Sequence, residues 1–155
     1  MRVPEQAGAA VLVLGYGSDL RRDDGAGRVA AEAVAARDLP GVTARALHQL
    51  TPELAEDLAG TQVIFVDATV ARRTVDLTEL AAGDGTGPMT HHADPRGLLD
   101  LAAALGAPAA GAWLVHIPAH DLGLGTGLSD ATAGFVDEAV ARIVALIEAF
   151  GQTGR

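Results

Sequence analysis

Short apolar runs alternate along the chain with longer stretches whose apolar residues recur every three or four positions. The first run, Ala9-Ala10-Val11-Leu12-Val13-Leu14, predicts a buried strand. An alanine-rich helical pattern, Gly25 to Arg37, follows it and stops at Asp38-Leu39-Pro40-Gly41. Val42 to Leu47 alternates, so it reads as a strand with one wetter face. Thr51-Pro52 predicts an N-cap with proline at the first helical position, opening a short helix to Leu58. Val63-Ile64-Phe65-Val66 is apolar and mostly β-branched, as a central parallel strand covered on both faces should be. It runs straight into Asp67-Ala68.

Thr74 to Leu80 alternates again and predicts a strand at an edge. Ala82 to Pro88 holds three glycines and predicts a loop. Asp94-Pro95 predicts a capped helix to about Leu105, and Ala112 to Ile117 a strand stopped by Pro118. A second glycine loop precedes Ser129, which is expected to cap the longest helix. That helix sets Phe135, Val136, Val140, Ile143, Val144, Ile147 and Phe150 on one broad face. Strands alternating with helices predict one α/β domain. It is a three-layer sandwich with a mostly parallel, twisted sheet of about five strands and helices on both faces. Residues 1–8 read as a loose N-terminal arm.

Composition narrows the chemistry. The chain has 155 residues, enough for a full core, but only 3% are aromatic. Ala, Val and Leu must therefore build that core, with Phe65, Trp113, Phe135 and Phe150 as its few large pieces. A net charge of −9 argues against nucleic acid and against an anionic membrane surface. With no cysteine there is no disulfide, thiol nucleophile or Cys-based metal site. The N-terminus lacks a signal-peptide pattern, and no apolar run approaches the ~20 residues of a membrane span. A cytoplasmic protein is expected. A small acidic domain fits a monomer, though oligomeric state is not readable from the sequence.

The loop after the first strand, Gly15-Tyr16-Gly17-Ser18-Asp19-Leu20-Arg21-Arg22-Asp23-Asp24-Gly25-Ala26-Gly27, carries the chemistry. A dinucleotide fingerprint would place a third glycine where this chain has Leu20. Asp19, Asp23 and Asp24 would also repel a pyrophosphate, whereas carboxylates at a strand–helix turn suit a cation. From spacing alone, Asp24 reads first as a helix N-terminal charge and second as a metal ligand. The Asp23-Asp24 doublet also fits a solvated loop. Asp67 favours a site, because a carboxylate straight after four buried apolar residues is costly unless paired, capping or functional.

His91 and His92 are neighbours, so in extended chain only one of them would serve as a ligand. His48 lies after the second strand and fits a substrate contact or a loop cap equally. His116 reads as a core or sheet-surface residue, and the role of His120 is open. There is no Gly-x-Ser-x-Gly elbow and no His-Glu-x-x-His motif. In a parallel sheet the site lies beyond the carboxyl ends of the strands. That rule is expected to bring Asp24 and Asp67 to one edge, within reach of the His pair. Two carboxylates and one imidazole suit nickel, zinc, manganese or iron better than calcium or magnesium, with coordination positions left open.

The first loop resembles the Gly-x-Gly-Asn-x-Leu-x-x-Asp-(Asp/Glu)-Gly-x-Gly signature of the nickel–iron hydrogenase maturation endopeptidases. Ser18 stands where that family usually has Asn. His48-Gln49-Leu50-Thr51-Pro52-Glu53-Leu54, Val63 to Ala68, and Thr90-His91-His92-Ala93-Asp94-Pro95 resemble its later blocks, in the same order. The resemblance implies an endopeptidase that removes the C-terminal extension of a NiFe hydrogenase large-subunit precursor after nickel insertion. It implies nickel contacts at Asp24, Asp67 and His92, with the nickel borne by the substrate. His92 is preferred to His91 because Thr90 takes the Ser place of the family's Ser-x-His block. Two other readings stay open at this point. One is a Rossmann-like nucleotide-binding module. The other is a non-catalytic nickel-binding or sensing protein on the same fold.

Overall fold

The structure, a computed structural model, describes residues 10–83 and 94–153. The expected N-terminal arm, most of the Ala82 to Pro88 loop, and Thr90, His91 and His92 lie outside the described residues. Five strands form one sheet: β1 (Val11–Tyr16), β2 (Val42–Leu47), β3 (Gln62–Thr69), β4 (Asp76–Leu80) and β5 (Gly111–Pro118). Their order is β2-β1-β3-β5-β4. The pairs β1–β2, β1–β3 and β3–β5 are parallel, and β4 runs antiparallel to β5 at the edge. Among the described residues, three α-helices pack on the sheet: α1 (Ala26–Ala35), α2 (Pro95–Ala104) and α3 (Asp130–Thr153).

Alternation along each strand sorts the core into two layers. Val11, Val13, Ile64, Val66, Val115 and Ile117 face α1 and α3. Leu12, Leu14, Val63, Phe65 and Ala112 face α2 and a 3-10 run at Pro52–Leu58. Val63 to Val66 are fully buried between the layers, as a central strand's apolar run requires. Each such side chain contributes about 1.5–3 kcal/mol by leaving water. Of the four large aromatics, only Phe65 is fully buried. Trp113 and Phe150 are half-buried and meet with ring centroids 6.1 Å apart.

The differences from expectation have local causes. β1 runs on through Gly15 and Tyr16, because both have a parallel partner in β2. β3 extends past Asp67 to Thr69, held by pairing with β5 as far as Thr69 opposite Pro118. Pro52–Leu58 forms a 3-10 rather than an α-helix, and the Thr51 side chain makes no capping bond to its backbone. By contrast Asp94 caps α2 as expected, its Oδ1 accepting from Gly97 N–H at 2.7 Å.

α1 lies unusually close to the sheet, and glycine makes this possible. A Cβ on Gly15 would collide with the carbonyl of Gly27 and come within 2.7 Å of the Ala31 Cβ. The close approach sets the start of α1, and the loop leading into it, directly over the ends of β1 and β3.

Candidate metal-recognition site at the carboxyl ends of the strands

Asp24 lies in a short 3-10 turn, Arg22–Gly25, immediately before α1. Its Oδ2 accepts from the Ser18 backbone N–H at 2.8 Å, which closes the loop on itself. Gly17, at φ +144°, packs so closely against the Asp24 carbonyl that no side chain would fit there. Ser18 Oγ accepts from Leu20 N–H at 3.3 Å. Ser18 thus supports the loop with its backbone and with a local turn bond.

Asp67 sits near the carboxyl end of β3 and is half-buried. The Ala68 backbone N–H and the Tyr16 hydroxyl beside it both favour its ionised form. Burial, and then the charge of Asp24, push its carboxyl up to about 6 in spite of those two groups. The fold therefore brings Asp24 and Asp67 close enough to repel one another. A divalent cation between them would relieve that repulsion and favour both ionised forms.

Tyr16, which the sequence reading did not single out, completes this corner. Its ring packs on the apolar layer that faces α2. Burial, then the neighbouring Asp67 carboxylate and the charge of Asp94, push the phenol far above its ordinary range. It is a permanent donor at working pH. Asp94 opens α2, so the start of that helix faces the same corner. His92 precedes Asp94 by two positions in the sequence and lies outside the described residues. Among the described residues, no group of three His, Asp or Glu side chains is arranged to hold a metal.

Asp23 corrects one expectation outright. Beside Asp24 it fitted a solvated loop, yet it is 0% exposed. Its carboxylate accepts from the backbone N–H groups of Ser129 (2.7 Å), His120 (2.8 Å) and Asp121 (2.8 Å). The hydroxyls of Ser129 and Thr132 lie 2.8 and 2.9 Å away. The single Thr132 proton is shared between Asp23 and the Pro118 carbonyl, also at 2.9 Å. Burial raises the Asp23 pKa, but the bonds from Ser129, His120 and Asp121 outweigh it and hold the carboxyl well below the usual range. Asp23 thereby ties the loop after β1 to the loop after β5 and to the start of α3. Ser129 caps α3 as expected, its Oγ accepting from Thr132 N–H at 3.3 Å. No pattern in a single sequence announces such a tie.

The remaining histidines take structural or peripheral places. His48 is exposed beyond β2. His120 donates its backbone N–H to Asp23 and stacks its ring on Phe135 at 6.0 Å. His116 faces Asp67 on one side and Asp76 on the other across the sheet, all at one register. Its Nδ1 is buried without a hydrogen-bond partner, 3.8 Å from Asp76 Oδ2. Burial, and then the nearby Arg72 charge, lower its pKa, so the ring stays neutral at pH 7.

With this geometry described, solved structures supply a comparison. Hydrogenase maturating endopeptidase HybD from E. coli superposes with a TM-score of 0.68 at 22% identity, over 90% of this chain and 92% of that one. The chain shares its fold with hydrogenase maturation endopeptidases. A hydrogenase 2 maturation peptidase from a Thaumarchaeota archaeon matches with a TM-score of 0.66 at 23% identity, over 90% of this chain and 98% of that one. The NiFe hydrogenase maturation protease HycI from Thermococcus kodakarensis matches with a TM-score of 0.57 at 20% identity, over 97% and 99% of the two chains. No family model and no curated protein sequence matches the chain.

The shared fold does not favour the nucleotide-binding alternative, and the loop chemistry counts against it too. The Ser18 amide, which a phosphate would need, already donates to the Asp24 carboxylate. Among the described residues, no helix is long and apolar enough to cross a membrane.

Proposed function

We propose that this chain is an endopeptidase of hydrogenase maturation, acting in the cytoplasm. It removes the C-terminal extension of a NiFe hydrogenase large-subunit precursor once nickel has been inserted. The observation that carries this reading is the Asp24–Asp67 pair, two facing carboxylates at the carboxyl end of a sheet whose fold is that of maturation peptidases. The sequence blocks around Asp24, Asp67 and Thr90-His91-His92 add support.

In this reading Asp24, Asp67 and His92 grip the nickel carried by the substrate. His92 enters the scheme through the resemblance of Thr90-His91-His92 to the family's Ser-x-His block. The grip sets the scissile peptide against the site and a water beside it. Hydrolysis adds the water's hydroxyl to the carbonyl carbon, the C–N bond breaks, and the water's proton goes to the leaving amine. Specificity follows from the missing ion: a precursor without nickel leaves two carboxylates repelling each other and binds poorly.

A second reading, a nickel binder without catalysis, uses the same three residues. Intact mass of a nickel-loaded precursor, incubated with wild type and with folded Asp24→Ala, Asp67→Ala and His92→Ala variants, separates them. The proposal expects wild type to shorten the precursor and each variant to leave it whole. A wild type that binds nickel but never shortens its precursor supports the binder.

A further inference from the structure

Among the described residues, five large apolar side chains stand exposed: Leu20, Val29, Val70, Leu105 and Leu124. Single exposed leucines are ordinary on a protein surface. The placement of three of these is not. Leu20, Val70 and Leu124 lie in the loops that follow β1, β3 and β5, neighbouring parallel strands in the middle of the sheet. They are 62%, 67% and 80% exposed. Leu20 precedes Asp24 by four positions in one loop, and Val70 follows Asp67 by three. The apolar side chains therefore flank the acidic pair.

Backbone bonds tie the three loops into one platform. Gly125 N–H donates to the Leu20 carbonyl at 2.9 Å, and Arg22 N–H donates to the Gly125 carbonyl at 3.2 Å. This parallel bridge sets Arg21 opposite Gly125 and brings the chain at Leu20 alongside the chain at Leu124. Ala119 N–H donates to the Thr69 carbonyl at 2.9 Å, joining the end of β5 to the turn that holds Val70. The buried Asp23 carboxylate fastens the loop after β1 to the loop after β5. A surface held in this way loses little freedom when a partner covers it.

We propose that these loops are the docking surface for the folded body of the nickel-bearing precursor, with Leu20, Val70 and Leu124 as apolar anchors around the Asp24–Asp67 pair. This rests on the reading of that pair as a nickel contact and extends it from the ion to the protein that carries it. Charge selects the occupant. Two carboxylates that repel one another stand among the anchors, so a partner covering the face must bring positive charge to that point. A second copy of this chain would bring two more carboxylates, whereas a precursor with bound nickel brings a cation. The anchors supply affinity, and the contact between ion and carboxylates sets the register.

The three side chains are exposed, so Leu20→Ser, Val70→Ser and Leu124→Ser combined should leave the thermal unfolding midpoint and the nickel(II) affinity at wild-type values. Surface plasmon resonance should show nickel-loaded precursor bound about tenfold more weakly or worse, and cleavage should show KM raised by a similar factor. Leu105→Ser is the control. Leu105 follows the last turn of α2, where the chain beyond it bonds to Gly60 and Thr61 just before β3 begins, at the other end of the sheet. It should change neither quantity. Equal affinity of wild type and triple variant overturns the inference, as does an equal loss in Leu105→Ser. Sedimentation velocity of the protein alone tests the other occupant: a dimer that the triple variant dissolves assigns the face to a second copy and overturns the inference too. Failure of the function reads differently. A wild type that binds nickel-loaded precursor through the three side chains but never shortens it removes the peptidase reading and keeps the docking surface. A wild type that neither binds nor cuts removes both.

Discussion

Ser129 gives both its backbone N–H and its hydroxyl to the carboxylate of Asp23, at 2.7 and 2.8 Å, across 106 positions of chain. The contact joins the loop that carries Asp24 to the helix that covers the opposite end of the sequence. Asp23 is thus a structural neighbour of the candidate site residue Asp24, and the two acids sit in different surroundings. The one that is buried holds the loop, and the one that is half-exposed faces Asp67.

Asp23→Ala should lower stability by about 3–5 kcal/mol, because it strands several buried donors at once. Urea unfolding followed by circular dichroism measures this as a lower midpoint. A loss under about 1 kcal/mol would show that water or a neighbour replaces the carboxylate.

The same residue sets an acid limit. Its unfolded carboxyl titrates near 3.8, and in the fold it titrates well below that value. Protons therefore prefer the unfolded chain in the window between. The stabilisation is complete above about pH 4 and drains away as the pH falls further. Asp23→Asn should flatten that acid limb of the stability profile, while a limb identical to wild type would assign it to other carboxylates.

Asp67 has the opposite sign. Its folded pKa of about 6 exceeds the model carboxyl value of 3.8, so ionising it costs stability as the pH rises between them. Asp67→Asn should gain on wild type across that window. Nickel(II) binding should weaken as the pH falls below about 6 and should release protons near that pH, because the ion requires the ionised form. Calorimetry in buffers of different ionisation enthalpy counts those protons; binding without proton release would remove Asp67 from the ligand set.

Gly15→Ala tests how the loop is held over the sheet. The added methyl meets the Gly27 carbonyl, so α1 must move away from β1. A loss of at least about 1–3 kcal/mol is expected from such overpacking. Thermal unfolding checks it, and an unchanged midpoint would mean that α1 shifts freely.

Periodicity made most of the fold legible. The all-apolar run Val63 to Val66 announced the central strand, and the Asp94-Pro95 and Ser129 caps located two helix starts. The antiparallel direction of β4 was not readable, because an alternating edge strand looks the same in either direction. Asp24 and Asp67 could be placed at one end of the sheet by topology alone. Tyr16 and Asp23 could not be assigned. The partner of Tyr16 depends on the register of β1 against β3, and that of Asp23 on a contact between the first loop and the last helix. Both are long-range pairings that leave no trace in local pattern.

The central claim is that the Asp24–Asp67 pair recognises nickel already lodged in a precursor and that this licenses the cut. Intact-mass analysis of the protein mixed with nickel-loaded and with nickel-free large-subunit precursor tests it most directly. The account predicts that only the nickel-loaded precursor loses its C-terminal extension. Equal cleavage of both precursors, or of neither by the folded protein, would contradict it.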